Sequence, residues 1–192
     1  KLRDIELQFL RSQINSHFLF NALNNIRSLI LEDTQAARQG LTDLATLLRG
    51  LMHSDTKVTV SLRDEVEWVK GYLALETLQF EQRLSYELTI DTELLDAQLP
   101  PLLLQTLVEN AIKHGVARRR LGGKIRISAT LASSNCWRLR VENPTAELPA
   151  EQESNGIGLK NARDRLAAAF CNKANLELQF SGIVIATAEM PL

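Results

Sequence analysis

The chain has 192 residues, of which 45% are hydrophobic and 23% are charged, so it can bury a core as one domain or as two small ones. Its formal net charge of -1, with acidic and basic residues interspersed, argues against a broad nucleic-acid-binding surface. Cys136 and Cys171 lack the spacing of a zinc site or a disulfide framework and indicate a reducing, cytoplasmic location. No apolar run reaches the roughly 18 residues of a membrane span.

The first predicted helix runs from Lys1 to about Leu31, a stretch without glycine or proline. Because the sequence enters this pattern at once and without an initiator methionine, we expect a further segment upstream. Apolar residues at spacings of three and four form one stripe, consisting of Leu19, Leu23, Ile26 and Ile30. On the neighbouring side of the helix the residues at this spacing are first apolar and then become His17 and Asn21. Polar side chains therefore interrupt the apolar seam of the helix.

His17 has two interpretations that the local pattern does not separate. A neutral imidazole carries a free lone pair near cytoplasmic pH and can act as a nucleophile without an elaborate base. A half-buried histidine can equally give specificity to the seam of a helix bundle. Asn21 lies one turn further along and would reach the same surface, where it could orient a transferred group or a water.

A second helix is predicted from Asp33 or Thr34, either of which can cap it, to about Met52. Its leucines repeat at seam spacing, at positions Leu41, Leu44, Leu48 and Leu51. Two helices alone bury too little surface to be stable. We therefore expect this helical hairpin to pair with a second copy as a dimeric four-helix bundle.

From residue 58 onward the pattern changes to strands alternating with helices. The predicted strands are Val58–Val60, Leu84–Ile90, Lys124–Leu131, Cys136–Val141, Leu176–Phe180 and Ile183–Ala188. One predicted helix opens at Ser61 and runs to Phe80. A second starts at Pro100-Pro101 and stops at Gly115, and a third opens at Gly156 and runs to about Phe170. Residues Asn143 to Ser154 read as an acidic loop. The chain thus has helices first and then a mixed layer of about five strands, an order that predicts an α+β fold.

The helix that ends at Gly115 has one apolar and one polar side. At about 100° per residue its polar side chains fall within an arc of roughly 140°. They are Thr106, Glu109, Asn110, Lys113 and His114. By itself this pattern is more typical of a solvated surface helix. The same side chains would also suit Mg²⁺ and phosphate, because magnesium prefers a few protein oxygens together with nucleotide oxygens.

The stretch from Asn155 to Asn161 is the second candidate binding site. Gly156 and Gly158 let the backbone approach a ligand closely, and the first free N–H groups of the helix that follows attract phosphate. Alone, two such glycines are as often a tight turn as a phosphate site. The polar helix upstream and the loop directly before the glycines favour a nucleotide site with a mobile lid.

Together these motifs resemble the LytS/YehU type of bacterial sensor histidine kinase. Gln13 to Asn24 is similar to the phosphoacceptor helix of that family, and Pro101 to Gly115 is similar to its N box. Gly156 to Asn161, with Arg163 and Arg165-Leu166 after it, resembles its second glycine box. The motifs stand in the family's order and spacing, and the resemblance covers nearly the whole chain.

The resemblance implies a dimerisation and histidine phosphotransfer hairpin at residues 1–57. It implies a Bergerat-type (GHKL) ATP-binding α/β sandwich with a mixed sheet at residues 58–192. The implied activity is ATP-dependent autophosphorylation of His17, followed by transfer of the phosphoryl group to an aspartate of a response regulator. ATP and Mg²⁺ are the implied cofactors, a homodimer the implied state, and the cytoplasmic portion of an inner-membrane sensor the implied location.

The resemblance also implies roles for single residues. His17, Asn21 and Glu109 would act in catalysis, Glu109 by orienting or activating groups, and Asn110 would bind Mg²⁺. The implied ATP-binding residues are Asn110, Lys113, His114, Asn143, Gly156, Gly158, Leu159 and Lys160.

Three positions depart from the family pattern. Ser16 stands where a proline usually precedes the histidine, and Phe18 stands where many other histidine kinases place an acid. The first glycine box lacks its aspartate, and Asn143 is the residue whose amide oxygen would accept the hydrogen bond of the adenine amine instead. An alternative function is therefore a catalytically degenerate dimeric signalling module with a weakened nucleotide site.

Overall fold

The computed structural model describes residues 16–53, 58–145 and 157–192. Within these ranges a helical part precedes a mixed five-stranded sheet with helices packed on it, which confirms the predicted α+β class. Among the same residues, no helix combines the length and the apolar character that crossing a bilayer requires. The predicted boundary at residues 57 and 58 adjoins the undescribed residues 54–57 and stays a prediction.

The helical part is a hairpin of α1 (Ser16–Glu32) and α2 (Thr34–His53). Asp33 lies between them, and its Oδ1 accepts a hydrogen bond from the Ala36 backbone N–H at 2.9 Å. Asp33 therefore caps α2, one of the two capping residues that the sequence offers. The predicted turns of the first helix before Ser16 lie outside the described residues.

The hairpin is followed by β1 (Val60–Ser61) and α3 (Leu62–Phe80). The Ser61 hydroxyl accepts a hydrogen bond from the Asp64 backbone N–H at 3.2 Å and caps α3. α3 packs against the hairpin on one side and against the sheet layer on the other. It is therefore the element that joins the two parts of the chain.

Two glycines allow α2 and α3 to approach closely. A Cβ added at Gly71 of α3 would lie 3.1 Å from the backbone oxygen of Asp43. A Cβ added at Gly50 of α2 would lie 2.6 Å from the ring of Trp68. Larger side chains at either position would push the hairpin away from α3.

The hairpin buries a different stripe from the one that the sequence predicts. Phe18, Ala22 and Ile26 of α1 are buried within the chain. Leu23 and Ile30, predicted to share a stripe with Ile26, are 49% and 53% exposed. The difference arises because α3 covers one side of the hairpin, a long-range contact that helix periodicity alone does not reveal. The exposed apolar residues of the hairpin are Phe20, Leu23, Ile30, Leu31 and Leu41.

The remaining strands are β2 (Leu84–Ile90), β3 (Gln98–Leu99), β4 (Gly123–Ser133), β5 (Cys136–Pro144), β6 (Asn175–Phe180) and β7 (Ile183–Pro191). The main sheet has the spatial order β2-β4-β5-β7-β6. β2 pairs with β4 in parallel, and the other neighbours are antiparallel. The predicted mixed sheet of five strands is therefore confirmed. β3 pairs with β1 as a separate two-stranded antiparallel sheet.

Two further helices, α4 (Leu103–His114) and α5 (Ile157–Ala169), complete the layer. They pack with α3 on one face of the main sheet, where alternate strand residues such as Ile127 and Trp137 are buried. The other face carries ion pairs, including Arg138 with Glu189 at 2.6 Å. One face of the sheet is therefore core and the other is solvated.

α4 begins later than the sequence predicts. Pro100-Pro101 was expected to start the helix, but the first helical residue is Leu103, after Leu102 in a left-handed conformation with φ 61°. The cap comes from α3, where the Glu65 carboxylate accepts hydrogen bonds from backbone N–H groups in the first turn of α4. A cap from another helix cannot be read from the local sequence.

Candidate functional site

The polar side of α4 lies at the surface, as the helical wheel predicts. Glu109 and Lys113 are exposed, whereas Asn110 and His114 are half-buried. The opposite side of the helix is buried in the core, through Leu107, Val108, Ala111 and Ile112. The core holds α4 so that these four polar groups face outward.

The first turn of α5 lies directly beside this polar side. A Cβ added at Gly158 would lie 3.9 Å from Asn110 Nδ2 and 3.8 Å from Thr106 Cγ2. Asn110 Nδ2 donates a hydrogen bond to the Thr106 backbone oxygen at 2.7 Å, which fixes the amide on the helix surface. Two motifs that are far apart in the sequence are thus neighbours. The positive end of α5 and the Asn110 amide face one small volume.

The other residues of the glycine motif are only partly described. Leu159 is half-buried and Lys160 is exposed in the first turn of α5. Gly156 lies outside the described residues. Lys160 and Lys113 therefore both offer ammonium groups to solvent near the start of α5 and along α4.

Glu109 precedes Asn110 on the polar side of α4. Its Oε1 accepts a hydrogen bond from Gln105 Nε2 at 2.8 Å. Desolvation raises the pKa of the Glu109 carboxyl, the Gln105 hydrogen bond opposes this rise, and the negative charge of Glu76 adds to it. The Glu109 side chain is nevertheless exposed to solvent. Glu109 therefore holds a proton more readily than an ordinary surface glutamate does.

His114 ends α4 as a half-buried residue. Burial lowers the pKa of its imidazole, and the positive charges of Lys113 and Arg118 lower it further. His114 is therefore neutral at pH 7 and acts there as a hydrogen-bonding group, not as a cation.

Asn143 belongs to β5, which corrects the prediction that a loop begins at this residue. The strand continues through Pro144 because it pairs with β7 over its whole length. The Asn143 side chain is 6% exposed, and its Nδ2 donates a hydrogen bond to the Pro144 backbone oxygen at 2.9 Å. A Cβ at Gly115 would overlap this Nδ2, so only glycine fits at the end of α4. The structure thus brings Asn143 to the same helix as Asn110.

The backbone of His17 lies in the first described turn of α1, and its side chain is outside the description. The Phe18 ring packs on Tyr72 of α3, with ring centroids 4.9 Å apart. Asn21 Nδ2 donates a hydrogen bond to Gln79 Oε1, also on α3, at 3.4 Å. The contacts of α1 are thus mainly with α2 and α3, whereas Asn110 and Gly158 belong to α4 and α5.

Tyr72 and Glu76 form a buried polar pair that the sequence reasoning missed. The Tyr72 hydroxyl donates a hydrogen bond to Glu76 Oε1 at 2.7 Å. Burial raises the pKa of Glu76, and the hydrogen bond from Tyr72 opposes the rise. Two polar residues four positions apart, inside an otherwise apolar helix pattern, are the signal that would have revealed the pair.

Glu65 and Arg165 form a second buried polar group that the sequence reasoning did not assign. Glu65 is fully buried, and desolvation raises the pKa of its carboxyl to about 7, against backbone hydrogen bonds and the charge of Arg165. Arg165 Nη1 donates a hydrogen bond to the Pro101 backbone oxygen at 2.9 Å. Both residues therefore form hydrogen bonds with the backbone at the start of the helix that carries Asn110.

A polar groove of about 260 Å³ lies on the opposite, solvated face of the sheet. Its charged side chains already partner one another: Arg138 pairs with Glu189, and Glu177 accepts a hydrogen bond from Asn175 at 2.7 Å. The groove is on the far side of the sheet from α4 and α5. It adds no group to the site around Asn110.

Comparison with known proteins agrees with this arrangement. The family model described as "Histidine kinase" matches residues 5–84. The chain is 31% identical to the sensor protein LytS of Staphylococcus epidermidis over 192 residues, which covers 94% of this chain and 32% of that protein. It is 36% identical over 169 residues to the sensor histidine kinase BtsS of Escherichia coli, which covers 88% of this chain and 30% of that protein. The chain thus spans about a third of the length of these relatives.

A solved structure shows the same fold. The histidine kinase domain from the Erythrobacter litoralis EL346 blue-light activated histidine kinase aligns with a TM-score of 0.53 at 16% identity, covering 98% of this chain and 92% of that one. The likeness extends over the helical part and the mixed sheet with its helices, the GHKL arrangement of histidine kinases. With three motifs in order, two of them in contact, and these relatives, the chain belongs to the LytS type of sensor histidine kinases.

Proposed function

We propose that this chain is an ATP-dependent protein histidine autokinase of a two-component system. It phosphorylates His17 and passes the phosphoryl group to an aspartate of a response regulator. The observation that carries the proposal is that Gly158, in the first turn of α5, lies beside the Asn110 amide. Membership of the sensor histidine kinase family supports the same activity.

The residues of the site fit ATP and Mg²⁺ as cofactors. Mg²⁺ binds through one or two protein oxygens and completes its shell with water and phosphate oxygens. Asn110 supplies such an oxygen, because its Nδ2 is held by Thr106. Among the described residues, no group of three or more histidine, cysteine or acidic side chains could hold a metal ion. When bound, the nucleotide and its cation supply the phosphoryl group and neutralise its charge.

The remaining binding groups surround this point. Lys113, Lys160 and the N–H groups that follow Gly158 would neutralise the phosphates. Leu159 and neutral His114 would line the nucleotide, and Gly156 would let the backbone approach it. Asn143 would accept a hydrogen bond from the adenine amine through Oδ1, since its Nδ2 is occupied by Pro144.

The transfer itself needs alignment more than activation. The neutral imidazole of His17 attacks the γ-phosphorus while the bond to the bridging oxygen breaks, and ADP leaves. Glu109, the neighbour of the proposed cation ligand Asn110, would take up the proton that the imidazole loses. Asn21, one turn after His17, would orient the phosphorylated ring or a water.

We further propose that the active state is a homodimer. The hairpin leaves a row of apolar side chains in solvent, with Phe20 69% and Leu31 94% exposed. A second copy would cover this row as a four-helix bundle. By the family resemblance we place the chain on the cytoplasmic side of an inner-membrane sensor, whose upstream parts would set the position of the hairpin.

The second candidate function is a dimeric signalling module with a degenerate nucleotide site. It is favoured by Asn143, a neutral amide at the position where the first glycine box has an aspartate. A neutral acceptor makes a weaker hydrogen bond to the adenine amine than a carboxylate does. In that case the chain would signal through the position of its hairpin and not by phosphotransfer.

Wild-type protein incubated with γ-labelled ATP and Mg²⁺ is expected to acquire phosphate that is lost in acid and stable in base, as phosphohistidine is. Labelling should require Mg²⁺, because Asn110 alone does not neutralise the phosphates. Asn110→Ala, which removes the proposed cation ligand, is expected to lose the label. A folded wild-type dimer that binds nucleotide but takes no label would contradict the kinase proposal and favour the degenerate module.

Replacing Gly158 by alanine is expected to weaken nucleotide binding about tenfold, or 1.4 kcal/mol, while the fold is kept. The new methyl group would lie at ordinary contact distance from Thr106 and Asn110, so the structure accommodates it. It would fill the volume between Asn110 and the start of α5, where phosphate is expected. Titration with a fluorescent ADP analogue and thermal unfolding measure the two effects.

Gly182→Ala is the matched control for Gly158→Ala. Gly182 lies between β6 and β7 with φ +72° and has no atom within 4 Å of an added Cβ. Alanine there costs stability through backbone strain, by about 1 kcal/mol, and leaves the nucleotide Kd unchanged. Equal Kd values for wild type and Gly158→Ala would remove Gly158 from the binding site.

A further inference from the structure

We propose that Arg165 is a positioning residue of the nucleotide site: with Thr106 it holds α5 against α4 so that Gly158 stays beside Asn110. The inference rests on the proposed function, because it concerns the same site. It adds Arg165, in the third turn of α5, whose guanidinium sets the distance between Gly158 and Asn110.

Arg165 faces the same element as Gly158. The two residues are seven positions apart on α5, close to two helix turns, so their side chains leave the helix on one side. Arg165 Nη1 donates a hydrogen bond to the Pro101 backbone oxygen at 2.9 Å, and Nη2 donates to Thr106 Oγ1 at 3.4 Å. One guanidinium therefore spans the loop before α4 and the first turn of that helix.

Thr106 connects Arg165 to both binding groups. Its hydroxyl accepts the hydrogen bond from Arg165 and donates one to the Leu102 backbone oxygen at 2.6 Å. Its backbone oxygen accepts the hydrogen bond of Asn110 Nδ2 at 2.7 Å. Its Cγ2 is the nearest atom to a Cβ added at Gly158. A shift of Thr106 would thus change the distance between Gly158 and Asn110.

Glu65 holds the same turn of α4 from the opposite side. Its carboxylate accepts hydrogen bonds from the backbone N–H groups of Leu102, Leu104 at 3.0 Å and Gln105 at 3.4 Å. Arg165 binds a carbonyl just before this turn, and its positive charge stabilises the Glu65 carboxylate. α3 therefore binds backbone N–H groups at this turn through Glu65, and α5 binds the backbone oxygen before it through Arg165. A planar guanidinium presents its donors to two acceptors in a fixed geometry, whereas an ammonium group is a compact charge with freely rotating donors.

Other residues fasten α5 to the rest of the layer. Leu166, next to Arg165, is 1% exposed and provides core packing. Arg163 Nε donates a hydrogen bond to the Leu176 backbone oxygen of β6 at 3.2 Å. Because packing and Arg163 already attach α5 to the core and to β6, the hydrogen bonds of Arg165 are the ones that set α5 relative to Asn110.

Thr106→Val is the sharpest test, because valine keeps the shape and removes the hydroxyl that Arg165 binds. With Mg²⁺ and a fluorescent ADP analogue, we expect the Kd of Thr106→Val to rise about three- to tenfold and that of Arg165→Met about tenfold or more. KM for ATP should rise similarly, with kcat at saturating ATP within about twofold of wild type, since bound nucleotide restores the alignment. Thr106→Ser should return Kd to within about twofold of wild type, and Arg165→Lys should be intermediate.

Arg163→Met is the matched control, an arginine of the same helix that also binds a backbone oxygen. It is expected to lower the thermal midpoint and to leave Kd within about twofold of wild type. Unchanged Kd in folded Thr106→Val, or equal weakening in Thr106→Ser, would overturn the inference. If Arg165→Met fails to fold, comparing the Kd values of Thr106→Val and Thr106→Ser still tests the inference. Wild type that binds the analogue but takes no label contradicts only the kinase proposal, whereas wild type that binds no nucleotide overturns both.

Discussion

His17→Ala is expected to abolish labelling by γ-labelled ATP, to below about 1% of wild type, because no other group supplies the attacking lone pair. The protein has three histidines, so the acceptor can be identified by single substitutions. The alanine variant should bind the nucleotide as wild type does, since His17 lies on α1 whereas the proposed binding groups lie on α4, α5 and β5. Label incorporation and nucleotide titration on the same preparations measure the two properties.

The other two histidines are the controls for this result. His53, at the end of α2, is expected to be replaceable by alanine without loss of label. His114→Ala should reduce labelling through weaker nucleotide binding and recover at higher ATP concentration, because this residue lies beside the site. Label that survives His17→Ala would move the acceptor to another residue. Label lost only from the His114 variant would contradict the assignment of His17.

The neighbours of His17 are connected to the nucleotide site through α3. Phe18 packs on Tyr72, whose hydroxyl binds Glu76, and the negative charge of Glu76 adds to the raised pKa of Glu109. A displacement of α1 would uncover Tyr72 and let water reach Glu76. α3 thus contacts the hairpin through Tyr72 and carries, in Glu76, a charge that acts on the Glu109 carboxyl.

Local sequence patterns were sufficient for the elements that carry the site. The polar side of α4 follows from the helical period, because one buried side forces residues such as Asn110 and Lys113 to the surface. The Asp33 cap follows from the preference of aspartate for the start of a helix. In both places a short stretch of chain determines its own structure.

Long-range contacts account for what the sequence did not reveal. The sequence pattern groups the polar helix and the glycine motif as one nucleotide site, but the closeness of Gly158 to Asn110 depends on how α5 docks on α4. The cap of α4 by Glu65 joins residues almost forty positions apart, and the close approach of α2 and α3 depends on a glycine in each of these helices. A single sequence contains no signal that pairs such positions.

Glu65 gives the largest expected effect on stability, and the effect depends on pH. The pKa of the carboxyl is about 7 in the folded protein, against 4.5 for an unperturbed glutamate, because burial disfavours its charge. Between these two pH values the folded state binds the proton that the unfolded state has lost. The resulting stability is fully present below pH 4.5 and is lost as the pH rises through 7, and it corresponds to roughly 3 kcal/mol.

Urea unfolding of wild type and Glu65→Gln from pH 4 to pH 8 measures this contribution. The glutamine variant cannot ionise there, so the difference in unfolding free energy between the two proteins isolates Glu65. We expect wild type to lose roughly 3 kcal/mol relative to the variant between pH 4 and pH 8. Both proteins must keep the same m value for the comparison to hold.

Glu87 provides a control of opposite sign. Its exposed carboxylate binds Lys124 Nζ at 2.7 Å, and this hydrogen bond holds the pKa of Glu87 below its usual value. Its contribution is present above pH 4.5 and is lost as the pH falls, so Glu87→Gln should differ from wild type only towards neutral pH and slightly. If the stability of wild type relative to Glu65→Gln stays constant or rises with pH, Glu65 is ionised when it caps α4, and the charge of Arg165 outweighs its burial.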